Sequence, residues 1–230
     1  MLSIQSINQY YGESHILRDL DLELPAGQCT CLMGRNGVGK TTLLNCVMGL
    51  IPNRNGKIEF QGDDISALPT EVRVTRGLGL VPQGREIFPT LTVEENLRVA
   101  MSALGKAHAT IPDQVLTLFP VLKDMLRRRG GDLSGGQQQQ LAIARALVLE
   151  PRILLLDEPT EGIQPNIVAL IGDVLRQLVA DGLTVLLVEQ KLPFARANAD
   201  RFYIIDRGSN VVDGPIAALD DETAQLHLSV

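Results

Sequence analysis

The stretch "CTCLMGRNGVGKTTLLNCVMGL", residues 29–50, leaves this chain few ways to fold. An apolar run ends on Gly34, a glycine-rich turn leads to Lys40, and apolar residues then recur at helical spacing up to Gly49. Residues Gly34 to Thr41 fit the pattern G-x-x-x-x-G-K-[ST] in full. Glycines so placed let successive backbone N–H groups wrap phosphate oxygens, and the N-terminus of the following helix adds partial positive charge. The candidate nucleotide-binding segment is therefore Gly34, Arg35, Asn36, Gly37, Val38, Gly39, Lys40, Thr41 and Thr42. Lys40 is placed to reach β- and γ-phosphates, and the Thr41 hydroxyl to ligate magnesium.

The flanking sequence agrees with a sheet built around that loop. Residues 1–33 are rich in strand patterns: "LSIQSINQYY", "HILRDLDLEL" and "QCTCLM". In the second of these Ile16, Leu20, Leu22 and Leu24 alternate with polar residues, which predicts a half-buried strand. From about 83 to 150 the pattern turns helical through "TVEENLRVAMSAL", "DQVLTLFPVLKDML" and "QQQQLAIARALVL". Strands and helices alternate again in "RILLLD", "NIVALIGDVLRQLVAD", "TVLLVEQ", "PFARANA" and "RFYIID". Such alternation, with nearly continuous apolar strands, predicts an α/β fold with a mostly parallel sheet buried on both faces. The expected layout is one domain over 1–230. Residues 1–82 and 151–230 supply the α/β core and an antiparallel β subdomain, and about 83–150 a helical insert.

Bulk properties narrow the class. A net charge of −6 argues against a nucleic-acid binder, which usually presents a basic face. No apolar run approaches the roughly 20 residues that a membrane-spanning helix needs. The start "MLSIQSINQYYGESH" lacks a basic segment followed by an apolar core, so no secretion signal is expected. Cys29, Cys31 and Cys46 form no metal-ligand spacing and read as small buried residues in a reducing compartment.

A second acidic motif completes the phosphate site. In "RILLLDEP" an apolar strand delivers Asp157 and Glu158 to its C-terminal end, where parallel sheets bind ligands. Asp157 suits a magnesium ligand, and Glu158 a group that orients or deprotonates an attacking water. Upstream, "DLSGGQQQQLAIARAL" puts Ser134, Gly135, Gly136 and Gln137 at the start of a predicted helix, a position suited to an anion.

Taken together, "LSGGQ" and a helix about 20 residues before "LLLDEP" resemble the signature of ABC ATPases. The resemblance extends over nearly the whole chain. It implies that "VPQGREIF" is the Q-loop, with Gln83 touching magnesium or the nucleophilic water. It also implies that Tyr11 of "YYGESHIL" stacks on adenine. In that family two cassettes pair head to tail, so Ser134 to Gln137 of one chain would close over the phosphate loop of the other. ATP and Mg2+ are the implied ligands, and Lys40, Gln83, Glu158 and Gln190 the implied catalytic set.

With no spanning segment, such a subunit is expected to lie peripherally on the cytoplasmic face of a bacterial inner membrane. It would dock on two integral-membrane permease subunits, with Glu86, Ile87 and Phe88 as candidate contacts, and serve a periplasmic solute-binding protein indirectly. The basic run Arg127 to Arg129 reads as a solvated face. "TEGIQP", "GREIFPTLTVEENL" and "LLVEQ" resemble the branched-chain amino-acid and urea importer group. "QYYGESHILRDL" and "CLMGRNGVGKTTLLNCVMGL" resemble its urea-importer ATP-binding subunit. Branched-chain amino acids are the alternative cargo; a soluble regulatory ABC ATPase and a lipid-exporting motor are the rival readings.

The chain departs from the wider family at two places. Gln164 stands where an aspartate usually follows the acidic strand, and Gln190 where a histidine usually contacts the γ-phosphate. Glutamine can donate a hydrogen bond to phosphate but carries no charge near neutral pH. Since the importer group shares "VEQ", an active enzyme dominated by Glu158 is expected.

Overall fold

A computed structural model describes residues 1–228. Strands β1 (Leu2–Tyr11), β2 (Ser14–Leu24), β4 (Asn55–Phe60) and β5 (Asp63–Asp64) form an antiparallel sheet ordered β2-β1-β4-β5. A larger sheet holds β3 (Cys29–Met33), β6 (Leu78–Val81), β7 (Ile153–Asp157), β8 (Thr184–Val188), β9 (Arg201–Asp206) and β10 (Ser209–Pro215). Its order is β10-β9-β3-β8-β7-β6, parallel throughout except for β10 at one edge.

Helix α1 (Lys40–Met48) follows the glycine-rich loop, and α2 (Thr70–Thr75) precedes β6. Four helices lie between β6 and β7: α3 (Val93–Ser102), α4 (Asp113–Leu118), α5 (Pro120–Asp124) and α6 (Gly135–Leu147). The chain closes with α7 (Pro165–Ala180), α8 (Leu192–Asn198) and α9 (Asp221–Leu228). Ser134 caps α6 in a reciprocal pair with Gln137, and Thr92 caps α3 with Glu95 in the same way.

The continuous apolar strands are explained by burial on both faces. Cys29, Cys31, Leu154, Leu156, Val185 and Leu187 join a core with α3, α6 and α7. Their neighbours Leu32, Ile153, Leu155, Leu186 and Val188 join a second core with α1 and the antiparallel sheet. Alternate residues thus point to opposite layers and none needs to be polar.

One strand departs from its sequence pattern. In β2 it is Leu17, not Ile16, that is fully buried together with Leu20, Leu22 and Leu24. Asp19 adopts φ 44°, and the register slips between the Ile7–Leu20 and Gln9–Leu17 pairs. A bulge there moves the inward face by one residue.

The larger sheet sets the site. The C-terminal ends of β3, β6, β7 and β8 lie side by side, so the residues just beyond them are neighbours: Gly34, Gln83, Glu158 and Gln190.

Candidate functional site

The loop from Gly34 to Gly39 is held open by backbone geometry that only glycine tolerates. Gly34 has φ 152°, and a Cβ on it would lie 2.5 Å from the Ile205 carbonyl oxygen. Gly39 has φ 112° and a Cβ there would meet Leu17 Cδ2 at 2.7 Å. Gly39 also leaves the start of α1 without a side-chain cap, so the first N–H groups face the cleft. Asn36, Gly37, Gly39, Lys40, Thr41 and Thr42 line this cleft, with Tyr11, Gln83 and Glu158. Arg35 is exposed and Val38 half-buried; neither lines it.

Inside the loop, Lys40 is 5% exposed. Its ammonium donates to the Gly34 and Arg35 carbonyls at 2.8 and 3.0 Å and lies 3.6 Å from Glu158 Oε1. A cation so placed can transfer its donors to phosphate oxygens entering the same cradle.

Asp157 is buried at the end of β7. Its Oδ2 accepts from the Thr41 hydroxyl at 2.7 Å, while Oδ1 is buried with no hydrogen-bond partner. Burial pushes its pKa above the usual aspartate range, against the pull of the Thr41 bond. One carboxylate with an unsatisfied oxygen, beside one hydroxyl and a phosphate cradle, fits Mg2+, which is commonly held by one or two carboxylates plus substrate phosphates. Among the described residues no cluster of three or more acidic, histidine or cysteine side chains could hold a metal by itself. The fit is to a metal that arrives with a nucleotide.

Glu158 turns out of the sheet with φ 47°, a conformation that costs a non-glycine residue on the order of 1 kcal/mol or more. Its amide still bonds the Val188 carbonyl at 3.0 Å. Gln190 follows β8 and bridges the two motifs. Its side-chain amide donates to Asn36 Oδ1 at 2.7 Å and to Glu158 Oε1. Gln83 donates to Glu161 Oε2 at 2.9 Å. Tyr11 is 51% exposed at the cleft mouth, leaving its ring open to a flat ligand.

The signature residues are not brought to this cleft. Ser134, Gly135, Gly136 and Gln137 line a separate concavity with Gly162 and Gln164, and the two concavities share no residue. The side chains of Ser134 and Gln137 are engaged in capping α6, while Gln164 precedes α7 without capping it.

Three polar side chains around the site escaped the sequence reading: Thr160, Glu161 and Glu189. Glu189 is 3% exposed and accepts from Thr160 Oγ1 at 2.7 Å. The available signal was an acidic residue directly abutting a five-residue apolar strand. Near Gln83, Arg145 donates to the Glu86 carbonyl at 2.7 Å and stacks over Phe88 at 4.7 Å. Phe88 stays 40% exposed, and Arg127 to Arg129 are exposed.

A family profile for ABC transporters matches residues 17–161, a span covering the phosphate loop, the signature and the acidic pair. The chain belongs to the ABC transporter family. As a member it is an ABC-type ATPase, and ATP hydrolysis is the chemistry of these cassettes.

Among relatives, it is 40% identical to the high-affinity branched-chain amino acid transport ATP-binding protein of Pseudomonas aeruginosa, over 95% of this chain and 94% of that one. It is 38% identical to a probable branched-chain amino acid transport ATP-binding protein of Archaeoglobus fulgidus, over 93% and 92%. The fold matches a nucleotide-free ATP-binding cassette from an ABC transporter with a TM-score of 0.86 at 25% identity, covering 100% of this chain and 95% of that one. A dimeric post-hydrolysis cassette bound to ADP and phosphate matches with a TM-score of 0.83 at 25% identity, covering 95% and 100%. These matches agree with the expected ABC cassette fold. Among the described residues no helix is long and apolar enough to cross a membrane.

Proposed function

We propose that this ATPase drives an importer of the branched-chain amino-acid and urea group, bound peripherally to two membrane permease subunits on the cytoplasmic face. The importer reading draws on the relatives' names and lengths. The chain spans 94% and 92% of the two branched-chain amino-acid proteins, against 66% of a Nod factor export protein that is 34% identical. Those relatives favour branched-chain amino acids as cargo. Urea rests on the likeness of "QYYGESHILRDL" to the urea-importer subunit. Either cargo would be chosen by a periplasmic binding protein and the permease, since nothing in the nucleotide cleft would touch it.

The observation that carries the hydrolytic assignment is the convergence of Lys40, Gln190 and Glu158 around one carboxylate oxygen at the mouth of the phosphate loop. Lys40 and the α1 amides bind and charge-balance the β- and γ-phosphates. Thr41, Asp157 and Gln83 would hold Mg2+, which supplies Lewis-acid charge at the phosphate oxygens. Glu158 orients water for in-line attack and accepts its proton as the bond from phosphorus to the bridging oxygen breaks. Gln190 spends its two amide N–H donors on holding Asn36 and Glu158 together, and turning one of them to a phosphate oxygen would need no charge.

The Ser134–Gln137 turn lies outside its own chain's cleft, so we assign it to the nucleotide of a second cassette, a related chain or another copy, in a head-to-tail dimer. Helices α3 to α6 form the lobe that carries this turn, and Glu86, Ile87 and Phe88 beside it are the proposed permease contact.

Turnover of the assembled transporter tests the assignment. Glu158→Gln should lower kcat by about 10²–10⁴-fold, the usual worth of a general base. Gln190→Ala should cost about tenfold, the equivalent of one modest hydrogen bond. A larger loss from Gln190→Ala than from Glu158→Gln refutes it. Failure to co-purify with integral-membrane subunits would favour a soluble regulatory ATPase.

A further inference from the structure

We propose that Glu189 is a positioning residue for ATP hydrolysis: its buried carboxylate ties the turn bearing Gln190 to the loop bearing Glu158. The inference rests on the roles assigned above to those two side chains.

Strands β7 and β8 pair in parallel as far as Asp157 and Val188, where the ladder ends. Both side chains that meet at the phosphate loop lie beyond that point. One last backbone bond, from the Glu158 amide to the Val188 carbonyl at 3.0 Å, anchors Glu158, but it does not reach the turn that carries Gln190. The Glu189 carboxylate spans the gap. Its Oε2 accepts from Thr160 Oγ1 at 2.7 Å, and its Oε1 accepts from the amides of Gln190 and Lys191 at 2.9 and 3.1 Å. Lys191 adds a second tie between the same segments, its ammonium donating to the Thr160 carbonyl at 2.8 Å. The chain of contacts runs from Thr160 through Glu189 to Gln190, and from its side chain to Asn36 and Glu158.

The placement is costly, which argues for a use. Glu189 is 3% exposed, Thr160 is fully buried, and no cationic side chain pairs with Glu189 among the described residues. A lone buried carboxylate is disfavoured unless hydrogen bonds satisfy it, and an apolar residue would continue β8 at lower cost. Here every hydrogen bond the carboxylate accepts comes from one of the two segments that carry Glu158 and Gln190. The bond from Thr160 is buried and so kept from exchanging with water, which makes the tie across the gap stiff, while the two amide bonds on the Gln190 side are part-buried.

The test uses the full chain in its assembled transporter, with kcat, the KM for ATP and thermal unfolding measured for each variant. Glu189→Ala should lower kcat by about 10²-fold, the cost of about 1 Å of misplacement, with KM changed by less than about threefold. Adding Gln190→Ala to it should cost less than about twofold more, because the shared positioning is already lost. Glu189→Gln keeps an oxygen for the two amides and a donor that the Thr160 hydroxyl can accept from, so it should recover at least about tenfold of the loss. A kcat unchanged per folded molecule in Glu189→Ala, or losses that multiply with Gln190→Ala, would overturn the proposal. If Glu189→Ala does not fold, Thr160→Val carries the test: it removes one tie at constant shape and should lower kcat by about tenfold, again without multiplying with Gln190→Ala. Full turnover in Glu158→Gln would instead sink the assignment of the base, while a dead Glu158→Gln beside a fully active Glu189→Ala sinks only the positioning role.

Discussion

Replacing Arg73 by methionine removes a buried guanidinium, 2% exposed, that serves backbone carbonyls rather than a carboxylate. Its Nη1 donates to the Cys46 and Val47 carbonyls, both at 2.8 Å, in the last turn of α1. Its Nε reaches the Leu68 carbonyl at 2.8 Å and its Nη2 the Ser66 carbonyl at 2.9 Å. These carbonyls lie in a final helical turn, at the negative end of the dipole. The Cys46 carbonyl already accepts from the Gly49 amide at 3.0 Å and has its second lone pair for the cation, so a cation there is doubly suited. The pair on α1 is buried, whereas the other two bonds are part-buried and open to replacement by water. At about 1.5–3 kcal/mol for each bond to a charged donor, the buried pair contributes roughly 3–6 kcal/mol. Against this stands the desolvation of the arginine itself, which holds its pKa below the usual arginine value. The expected net loss is about 2–4 kcal/mol, measured by urea unfolding of the purified chain. Arg73→Lys should recover less than half of it, because an ammonium cannot point at four carbonyls in the fork geometry of a guanidinium. A loss under about 1 kcal/mol in Arg73→Met would refute the argument that these carbonyls depend on the cation. Amide exchange at the C-terminal turn of α1 should quicken in parallel, since that helix opens at Lys40 and its far end would be released.

Two further outcomes follow from local environments. Burial pushes the Cys29 thiol from 9.0 up to about 12 and the Cys46 thiol from 9.0 up to about 11. The folded chain therefore keeps these thiols protonated while the unfolded chain ionises them. Their contribution is fully present below about pH 9 and is lost as pH rises towards 11 for Cys46 and 12 for Cys29. The slope is about 1.4 kcal/mol per pH unit for each thiol. Urea midpoints at pH 8 and pH 10 should separate less in Cys29→Ala and Cys46→Ala than in the parent chain; an unchanged separation excludes the thiols as the cause. Tyr11→Ala should raise the KM for ATP by about 5–160-fold, the equivalent of about 1–3 kcal/mol of base stacking, while Tyr11→Phe leaves it unchanged. An effect of equal size in Tyr11→Phe would show that the hydroxyl, not the ring, is the contact.

The parts of this protein that sequence determined are those written in local physics. Gly34 and Gly39 need backbone angles and clearances that other residues lack, and Lys40 follows them at a fixed spacing. The strand leading to Asp157 and Glu158 is apolar because both of its faces are covered, and Ser134 announces α6 by its capping geometry. Those features carry the fold and most of the residues that line the cleft around the glycine-rich loop. Tertiary structure decided which residues meet. The slip at Asp19 exchanges Leu17 for Ile16 at the core, and alternation alone does not reveal a bulge. Arg73 meets α1 from 26 residues away along the chain, through backbone carbonyls that leave no trace in side-chain pattern. Gln190 reaches Asn36, 154 residues earlier, and Glu189 reaches Thr160 only because β8 lies beside β7. Sequence spacing reports what one segment can do; hydrogen bonds between segments depend on strand order, which is set by how the whole sheet buries its two faces.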